Sequence, residues 1–143
     1  MNSQTIEKYF QKNELLTYRN VGVSMLPLLK EGRDVFTVKK KSSQRCKKND
    51  VVLYRRSQNT YVLHRIIKVR ENDYVIMGDN CTATETGITD DDIVAVMVSF
   101  MHKGKSYKVT DLRYRIYSAF ISKRYILISL KKKIRRLIRK LRG

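Results

Sequence analysis

The residues best suited to chemistry in this chain are a serine, a histidine and a carboxylate that follow one another at set intervals. Ser24 lies between Gly22 and Pro27. His64 follows 40 residues later, and Asp79 a further 15 residues on. A serine hydroxyl is a weak nucleophile that needs an adjacent base, and histidine titrates near neutral pH. The set therefore indicates a hydroxyl nucleophile, a general base and an acid that orients the base.

The residues around Ser24 favour an exposed bend. Gly22 lacks a Cβ, so another part of the backbone can approach it closely. Pro27 is the only proline of the chain, and it favours an extended conformation at Leu26. Such a bend would leave the Ser24 N–H free to bind an oxyanion. Taken alone, however, Gly-x-Ser-x-x-Pro is more typical of an ordinary exit from a strand.

His64 and Asp79, each taken alone, also have an ordinary structural explanation. His64 lies in residues 61–67, a β-branched and aromatic stretch that predicts a strand, where a single histidine is most often structural. His102 is such a case and is assigned no role. Gly78-Asp79-Asn80 taken alone predicts a turn. The three residues gain their significance from their order along the chain.

Five short sequence boxes in this order resemble those of the signal peptidase I family and, more distantly, the self-cleaving repressor peptidases of the same clan. The resemblance covers residues 21–108. It implies a coiled β fold in which the serine and its base come from neighbouring strands, and a serine endopeptidase that uses no metal or other cofactor. The boxes are Ser24-Met25-Leu26-Pro27, Gly32-Arg33-Asp34-Val35-Phe36-Thr37-Val38 with one residue extra, Asn49-Asp50-Val51-Val52, Leu63-His64-Arg65-Ile66-Ile67 and Gly78-Asp79-Asn80.

The resemblance also implies roles for individual residues. Ser24 is the expected nucleophile, and His64 groups the chain with the histidine-base branch, the endoplasmic-reticulum and sporulation type. In that branch an acid follows the Gly-Asp-Asn aspartate by six residues, where this chain has Glu85. Either Asp79 or Glu85 is therefore expected to orient the His64 imidazole. The residues expected to position the oxyanion or the substrate are Gly22, Met25 and Pro27.

The composition predicts one compact domain with short additions. The chain has 143 residues, of which 42% are hydrophobic, and a net charge of +18, which favours anionic partners. Cys46 and Cys81 are too few and too unpatterned for a disulfide framework or a metal cluster, so we expect free thiols in a reducing compartment. Residues 1–20 lack the apolar run of a signal peptide. The longest apolar stretch, residues 125–130, is far short of the ~20 residues that span a bilayer.

Alternating β-branched and aromatic residues predict strands through the middle of the chain, and their regular spacing predicts a mainly β fold, a coiled antiparallel sheet or barrel. Three units are expected. Residues 1–16 form an N-terminal helix with Ile6, Phe10 and Leu15 facing inward, residues 17–110 a signal-peptidase-like β catalytic domain, and residues 111–143 a basic amphipathic helical tail. The expected strands are residues 18–23, 34–39, 50–56, 61–70, 74–77, 93–102 and 106–110.

The tail concentrates the positive charge. Residues 113–143 carry twelve Lys or Arg and no Asp or Glu, so they hold +12 of the net charge. A basic amphipathic helix suits an anionic membrane surface or a membrane-protein partner, with packing on the β domain or on a second copy as the alternative. Nucleic acid is disfavoured because no recognisable binding module accompanies the charge. The apolar residues that recur at helical spacing are Leu127, Leu130, Ile134, Leu137 with Ile138, and Leu141.

Two further charged clusters have ordinary explanations. Residues 39–48 carry six basic residues and no acid, which fits a solvated loop or a surface patch for lipid or an acidic substrate segment. Asp90-Asp91-Asp92 is the only acidic cluster. A turn is favoured there over a metal site, because consecutive side chains in a strand alternate faces.

Two functions from different classes follow. The first is a serine endopeptidase resembling signal peptidase I, which cleaves a peptide or precursor protein through Ser24 and His64; its expected location is cytoplasmic, on the inner face of a membrane. The family cuts after small residues in extended segments paired to a sheet edge. The second is a non-catalytic basic protein that binds membranes or nucleic acid on the same β fold. Only the first requires Ser24 and His64 to lie together.

Overall fold

A computed structural model describes residues 3–57 and 60–143 of the chain. It confirms the mainly β prediction: the described residues form one sheet of eight antiparallel strands, preceded by a short helix and followed by a long one. The elements are α1 (Ser3–Lys12), β1 (Leu15–Arg19), β2 (Val35–Lys40), β3 (Val51–Ser57), β4 (Thr60–Val69), β5 (Tyr74–Met77), β6 (Glu85–Ile88), β7 (Ile93–His102), β8 (Lys105–Lys108) and α2 (Leu112–Arg142).

The strands follow the order β1-β2-β7-β3-β4-β5-β6 across the sheet, and β8 pairs with β7. Strand β7 is long enough to pair with β3 through its first half and with β8 through its second half. In the part of the chain that is described, β1 and β6 lie at the two ends of this order and do not pair with each other. The sheet therefore does not close into the barrel that was the alternative expectation.

The N-terminal segment differs in detail from its prediction. Helix α1 ends at Lys12 rather than at residue 16, where Asn13 donates two hydrogen bonds of 3.0 Å to the Tyr9 carbonyl. The chain then enters β1, in which Leu16 is buried and Leu15 is 51% exposed. Strand alternation thus makes Leu16, not Leu15, the inward residue, whereas Ile6 and Phe10 are buried as expected. Residues 1 and 2 of the predicted helix lie outside the described residues.

The segment after β1 is also a turn and not the strand expected for residues 20–23. Met25, Leu28 and Leu29 of this segment pack into the main hydrophobic core, which joins α1, β1, β2, β3, β4, β7 and the start of α2, whereas Val21 and Val23 are exposed. Met25 is 1% and Leu29 0% exposed. Burial of this kind contributes about 2 kcal/mol for each side chain, so the core holds the turn that carries Ser24 in place.

Helix α2 packs on the sheet from its start as far as Tyr125. Tyr114, Ser118, Ile121 and Ser122 are its buried residues. Beyond Tyr125 the helix leaves the sheet, and most of its side chains are exposed. Neither helix of the described chain has the combination of length and apolarity that crossing a bilayer takes.

Candidate active site

Ser24 lies in the turn after β1, where its side chain is partly buried. Gly22 has a φ of 81°, the left-handed region that favours glycine. A Cβ at Gly22 would meet nothing within 4 Å, so backbone conformation, and not the close approach of another segment, explains this glycine. The Leu26–Pro27 peptide bond is cis. No group in the described residues accepts a hydrogen bond from the Ser24 N–H, which keeps this donor available for an oxyanion.

The turn at residues 78–80 holds the Ser24 turn directly. The Asn80 N–H donates to the Ser24 carbonyl at 2.8 Å, and the Asn80 side-chain amide donates to the Val23 carbonyl at 3.2 Å. Sequence reasoning did not assign Asn80 this role. These two hydrogen bonds fix the position of the Ser24 backbone relative to the Gly78-Asp79-Asn80 turn.

Gly78 is the point at which the serine turn meets the histidine. A Cβ built on Gly78 would lie 2.7 Å from the Ser24 carbonyl oxygen, 3.0 Å from His64 Nε2 and 2.8 Å from Cys81 Sγ. The Ser24 backbone and the His64 imidazole therefore approach the same small volume, which only a residue without a side chain can leave open. The Ser24 backbone and the His64 ring, forty positions apart in the sequence, are thus neighbours across Gly78, although no hydrogen bond among the described residues joins the Ser24 hydroxyl to the ring.

The other ring nitrogen of His64 faces a tyrosine and a carboxylate. His64 is 5% exposed, and its Nδ1 lies 3.2 Å from the Tyr54 hydroxyl and 3.6 Å from Glu85 Oε1. A carboxylate beside Nδ1 favours the tautomer that carries its proton there. Nε2 then keeps its lone pair on the side of the ring that approaches Gly78 and the backbone of the Ser24 turn.

Comparison with protein-family models, curated proteins and solved structures found no match. The chemistry of the site is therefore inferred from its own geometry.

The electrostatics of the site favour a neutral imidazole. Burial lowers the pKa of His64 below its ordinary value of 6.5; the Glu85 charge opposes this shift and the Arg56 charge adds to it. Burial works to raise the pKa of Glu85, but hydrogen bonds from Arg56 and Tyr54 outweigh it and lower that pKa. At neutral pH His64 is thus uncharged and able to accept a proton, while Glu85 is ionised.

The second candidate acid, Asp79, is engaged elsewhere. Its carboxylate accepts two hydrogen bonds from Arg65, at 2.7 and 2.8 Å, and one from the Tyr117 hydroxyl at 2.9 Å. The side chains of Arg65 and Asp79 are both 0% exposed. Of the two carboxylates that the sequence left open, Glu85 is the one in contact with the His64 ring.

Three residues around the histidine were not singled out from the sequence. Val52 pairs with His64 across β3 and β4, and side chains two and four residues along a strand share its face. Tyr54 and Arg56 therefore lie on the His64 side of the sheet, where Arg56 forms an ion pair with Glu85. Arg65 points to the opposite face, towards Asp79. The register of the β3–β4 hairpin would have been the signal for Tyr54, Arg56 and Arg65.

A cleft of about 240 Å³ opens beside Ser24. Its apolar walls include Leu16 of β1 together with Leu53 of β3 and Leu63 of β4. Because β2, β7 and β3 separate β1 from β4 in the sheet, the sheet must curl for these side chains to line one cleft. The first half of β4 pairs with β3 alone within the described residues, so its other edge borders the cleft.

The remaining clusters have structural roles. Lys41 and Arg45 of the basic loop form ion pairs with Asp90, at 3.3 and 3.1 Å. The His102 ring donates to the Leu28 carbonyl at 2.9 Å. Cys46 and Cys81 are free thiols. Across residues 3–57 and 60–143, no group of three or more His, Cys, Asp or Glu residues is arranged to hold a metal ion.

Proposed function

We propose that this chain is a serine endopeptidase in which Ser24 is the nucleophile and His64 the general base. The observation that carries the proposal is the approach of the Ser24 backbone and His64 Nε2 to one point at Gly78, each within 3.0 Å of it. The resemblance of the five sequence boxes to signal peptidase I assigns the same two residues the same roles. The neutral state of the buried imidazole adds to this support.

The proposed reaction proceeds through an acyl-enzyme. The Ser24 hydroxyl attacks the peptide carbonyl while its proton moves to His64 Nε2, and the Ser24 N–H binds the oxyanion that forms. His64 then gives this proton to the leaving amine. A water molecule, activated by the same nitrogen, hydrolyses the ester and releases Ser24. Glu85 and Tyr54 hold the ring through Nδ1, and the Glu85 charge stabilises the imidazolium.

The cleft beside Ser24 suits an extended peptide. Its walls are mainly apolar, and the Thr60–His64 portion of β4 offers a strand edge to which a substrate backbone could pair. The volume of about 240 Å³ fits apolar side chains of modest size. Met25, buried beneath the turn, positions Ser24 from the core, and Pro27 lies on its exposed side.

The alternative, a non-catalytic basic binding protein, draws on the charge of residues 113–143, which both functions share. A fluorophosphonate probe separates the two, because it forms a stable adduct only with an activated serine. We expect the wild-type protein to be labelled at Ser24, as located by mass spectrometry. Ser24→Ala and His64→Gln should not be labelled.

Ser43→Ala is the matched control, because Ser43 is an exposed serine in the basic loop. It should be labelled like the wild type. Digestion of a peptide library by the same proteins provides a second readout. An adduct on a residue other than Ser24, or no cleavage by folded wild-type protein, would contradict the proposal.

The pH dependence follows from the lowered pKa of His64. We expect the labelling rate to rise with pH through one inflection below pH 6.5 and to level off above it, because only the neutral imidazole can accept the Ser24 proton. Glu85→Gln should move the inflection to lower pH, since the Glu85 charge raises the pKa of His64. Glu31→Gln, at an exposed site, is the control. A rate that rises only above about pH 9 would indicate a lysine base.

Gly78→Ala tests the contact on which the proposal depends. The added methyl group would lie 2.7 Å from the Ser24 carbonyl, so the two turns must separate. We expect a loss of about 100-fold in labelling rate, because a shift of about 1 Å in reacting groups has that effect.

Gly32→Ala is the control for Gly78→Ala. At Gly32 the positive φ of 73° makes alanine unfavourable, but no atom lies within 4 Å of the new methyl group. Both variants should lose thermal stability, and only Gly78→Ala should lose labelling. Wild-type labelling of Gly78→Ala would show that the serine and histidine do not need this close approach.

A further inference from the structure

Helix α2 has two opposite faces with different surroundings. The face towards the sheet holds its buried residues, at positions 114, 118, 121 and 122. The face away from the sheet holds large apolar side chains that are 49–87% exposed and recur at helical spacing. We call them the outer stripe: Ile116, Phe120, Leu127, Leu130, Ile134 and Leu141.

The outer stripe is longer than the sequence pattern indicated. The predicted apolar stripe began at Leu127, but Ile116 and Phe120 extend it along the part of the helix that packs on the sheet. The stripe thus runs over most of the 31 residues of α2. It is an apolar surface that is largely exposed on the outside of the folded protein.

Positive charge borders this stripe on both sides. With about 3.6 residues per turn, Lys131 lies on one flank of the stripe and Lys133 on the other. Lys123 lies within the stripe, where a long side chain can extend its ammonium group sideways into water. Residues 113–143 contain no Asp or Glu, so nothing in this segment balances its charge of +12.

We propose that α2 docks on the surface of an anionic lipid bilayer, with the outer stripe inserted among the lipids and the flanking Lys and Arg side chains at the headgroups. This inference concerns binding and goes beyond the proposed peptidase activity. An apolar stripe buried at the headgroup boundary and cations attracted to anionic lipid are the two forces that hold such helices at a membrane.

Charge complementarity decides among the possible occupants. A second copy of this chain would bring another +12 against the first, and like charges repel. A nucleic acid would neutralise the charge but would leave the outer stripe exposed to water, since phosphate contacts need no apolar surface. An anionic bilayer accommodates both features of the helix.

The same helix contacts the turn that carries the proposed active site. Arg124 donates to the Asp79 carbonyl, and Lys132 donates to the Thr82 carbonyl. Lys132 lies on the side of α2 opposite to the outer stripe, and Arg124 lies on the flank between the two faces. A docked helix would therefore hold this turn about one helix diameter, ~10 Å, above the lipid surface. This last step alone rests on the proposed function.

Vesicle co-sedimentation of the full chain tests the proposal. Vesicles of phosphatidylcholine with about 30% phosphatidylglycerol supply the anionic surface, and pure phosphatidylcholine is the neutral comparison. We expect binding to the anionic vesicles that weakens as salt rises from about 0.1 to 1 M. The triple variant Leu127→Gln, Ile134→Gln, Leu141→Gln should bind them at least about tenfold more weakly.

The matched control places the same three glutamines at exposed apolar residues outside α2: Leu15, Val69 and Met101, which are 51%, 37% and 42% exposed. It should bind like the wild type. Equal binding by both triple variants, or no binding of the wild type to anionic vesicles, would overturn the proposal. So would a dimer in light scattering that the outer-stripe variant abolishes, or a preference for duplex DNA over anionic vesicles at the same salt. None of these readouts depends on Ser24 or His64.

Discussion

Ser24→Ala is expected to lower kcat for a cleaved peptide by about 10,000-fold or more, since the variant has no nucleophile to form the acyl-enzyme. His64→Ala should have an effect of similar size, because Ser24 without a base is a weak nucleophile. The double variant should lose no more than either single one. Residues that act as one unit lose their joint contribution when either is removed.

The measurement uses the best peptide from the library digest, with kcat and KM determined separately. KM should change little in Ser24→Ala, because the walls of the cleft are intact. Circular dichroism should show a folded protein, as Ser24 lies in a turn that Met25 and Leu29 anchor through the core. Effects that add in the double variant would mean that Ser24 and His64 act independently, and the proposed proton transfer between them would be wrong.

The strands that the sequence predicted best are those with strong alternation or continuous apolar character. Residues 74–77 and 93–102 match β5 and β7 at both ends. β6 was missed because its residues, Glu-Thr-Gly-Ile, carry no alternation and include Gly87 at a φ of 76°. That strand forms only by pairing with β5, a long-range interaction that local patterns do not contain. The start of β1 at Leu15 likewise depends on its pairing with β2.

The order of the motifs along the chain was enough to predict the candidate residues of the site, but not their contacts. Ser24, His64 and Glu85 were candidates from the motifs alone, and the fold brings the Ser24 turn and Glu85 to opposite sides of the His64 ring. The distinction between Glu85 and Asp79 could not be made from the sequence. It depends on strand alternation at His64 and Arg65, which sends one side chain to each face of β4 and so gives each carboxylate a different partner.

The position of Arg65 leads to a second large effect, on stability. We expect Asp79→Asn to lower the free energy of unfolding by about 3–5 kcal/mol, because it leaves the Arg65 guanidinium buried without a counter-charge. Urea denaturation at neutral pH measures the loss. Asp73→Asn is the control: Asp73 pairs with Arg70 at the surface, where water screens the charges, so its loss should be much smaller.

A variant that lacks both charges distinguishes the contribution of the ion pair from the cost of leaving one buried charge unpaired. Arg65→Met added to Asp79→Asn takes away the unpaired cation, so the double variant should lose less stability than the two single variants together. The same measurements bear on catalysis. If Asp79→Asn kept wild-type stability but shifted the pH inflection more than Glu85→Gln does, then Asp79 would be the acid that orients His64. We expect the opposite: Asp79→Asn should lower stability, because Asp79 supports the turn through Arg65. Glu85→Gln should cause the larger shift of the pH inflection, because Glu85 contacts the His64 ring.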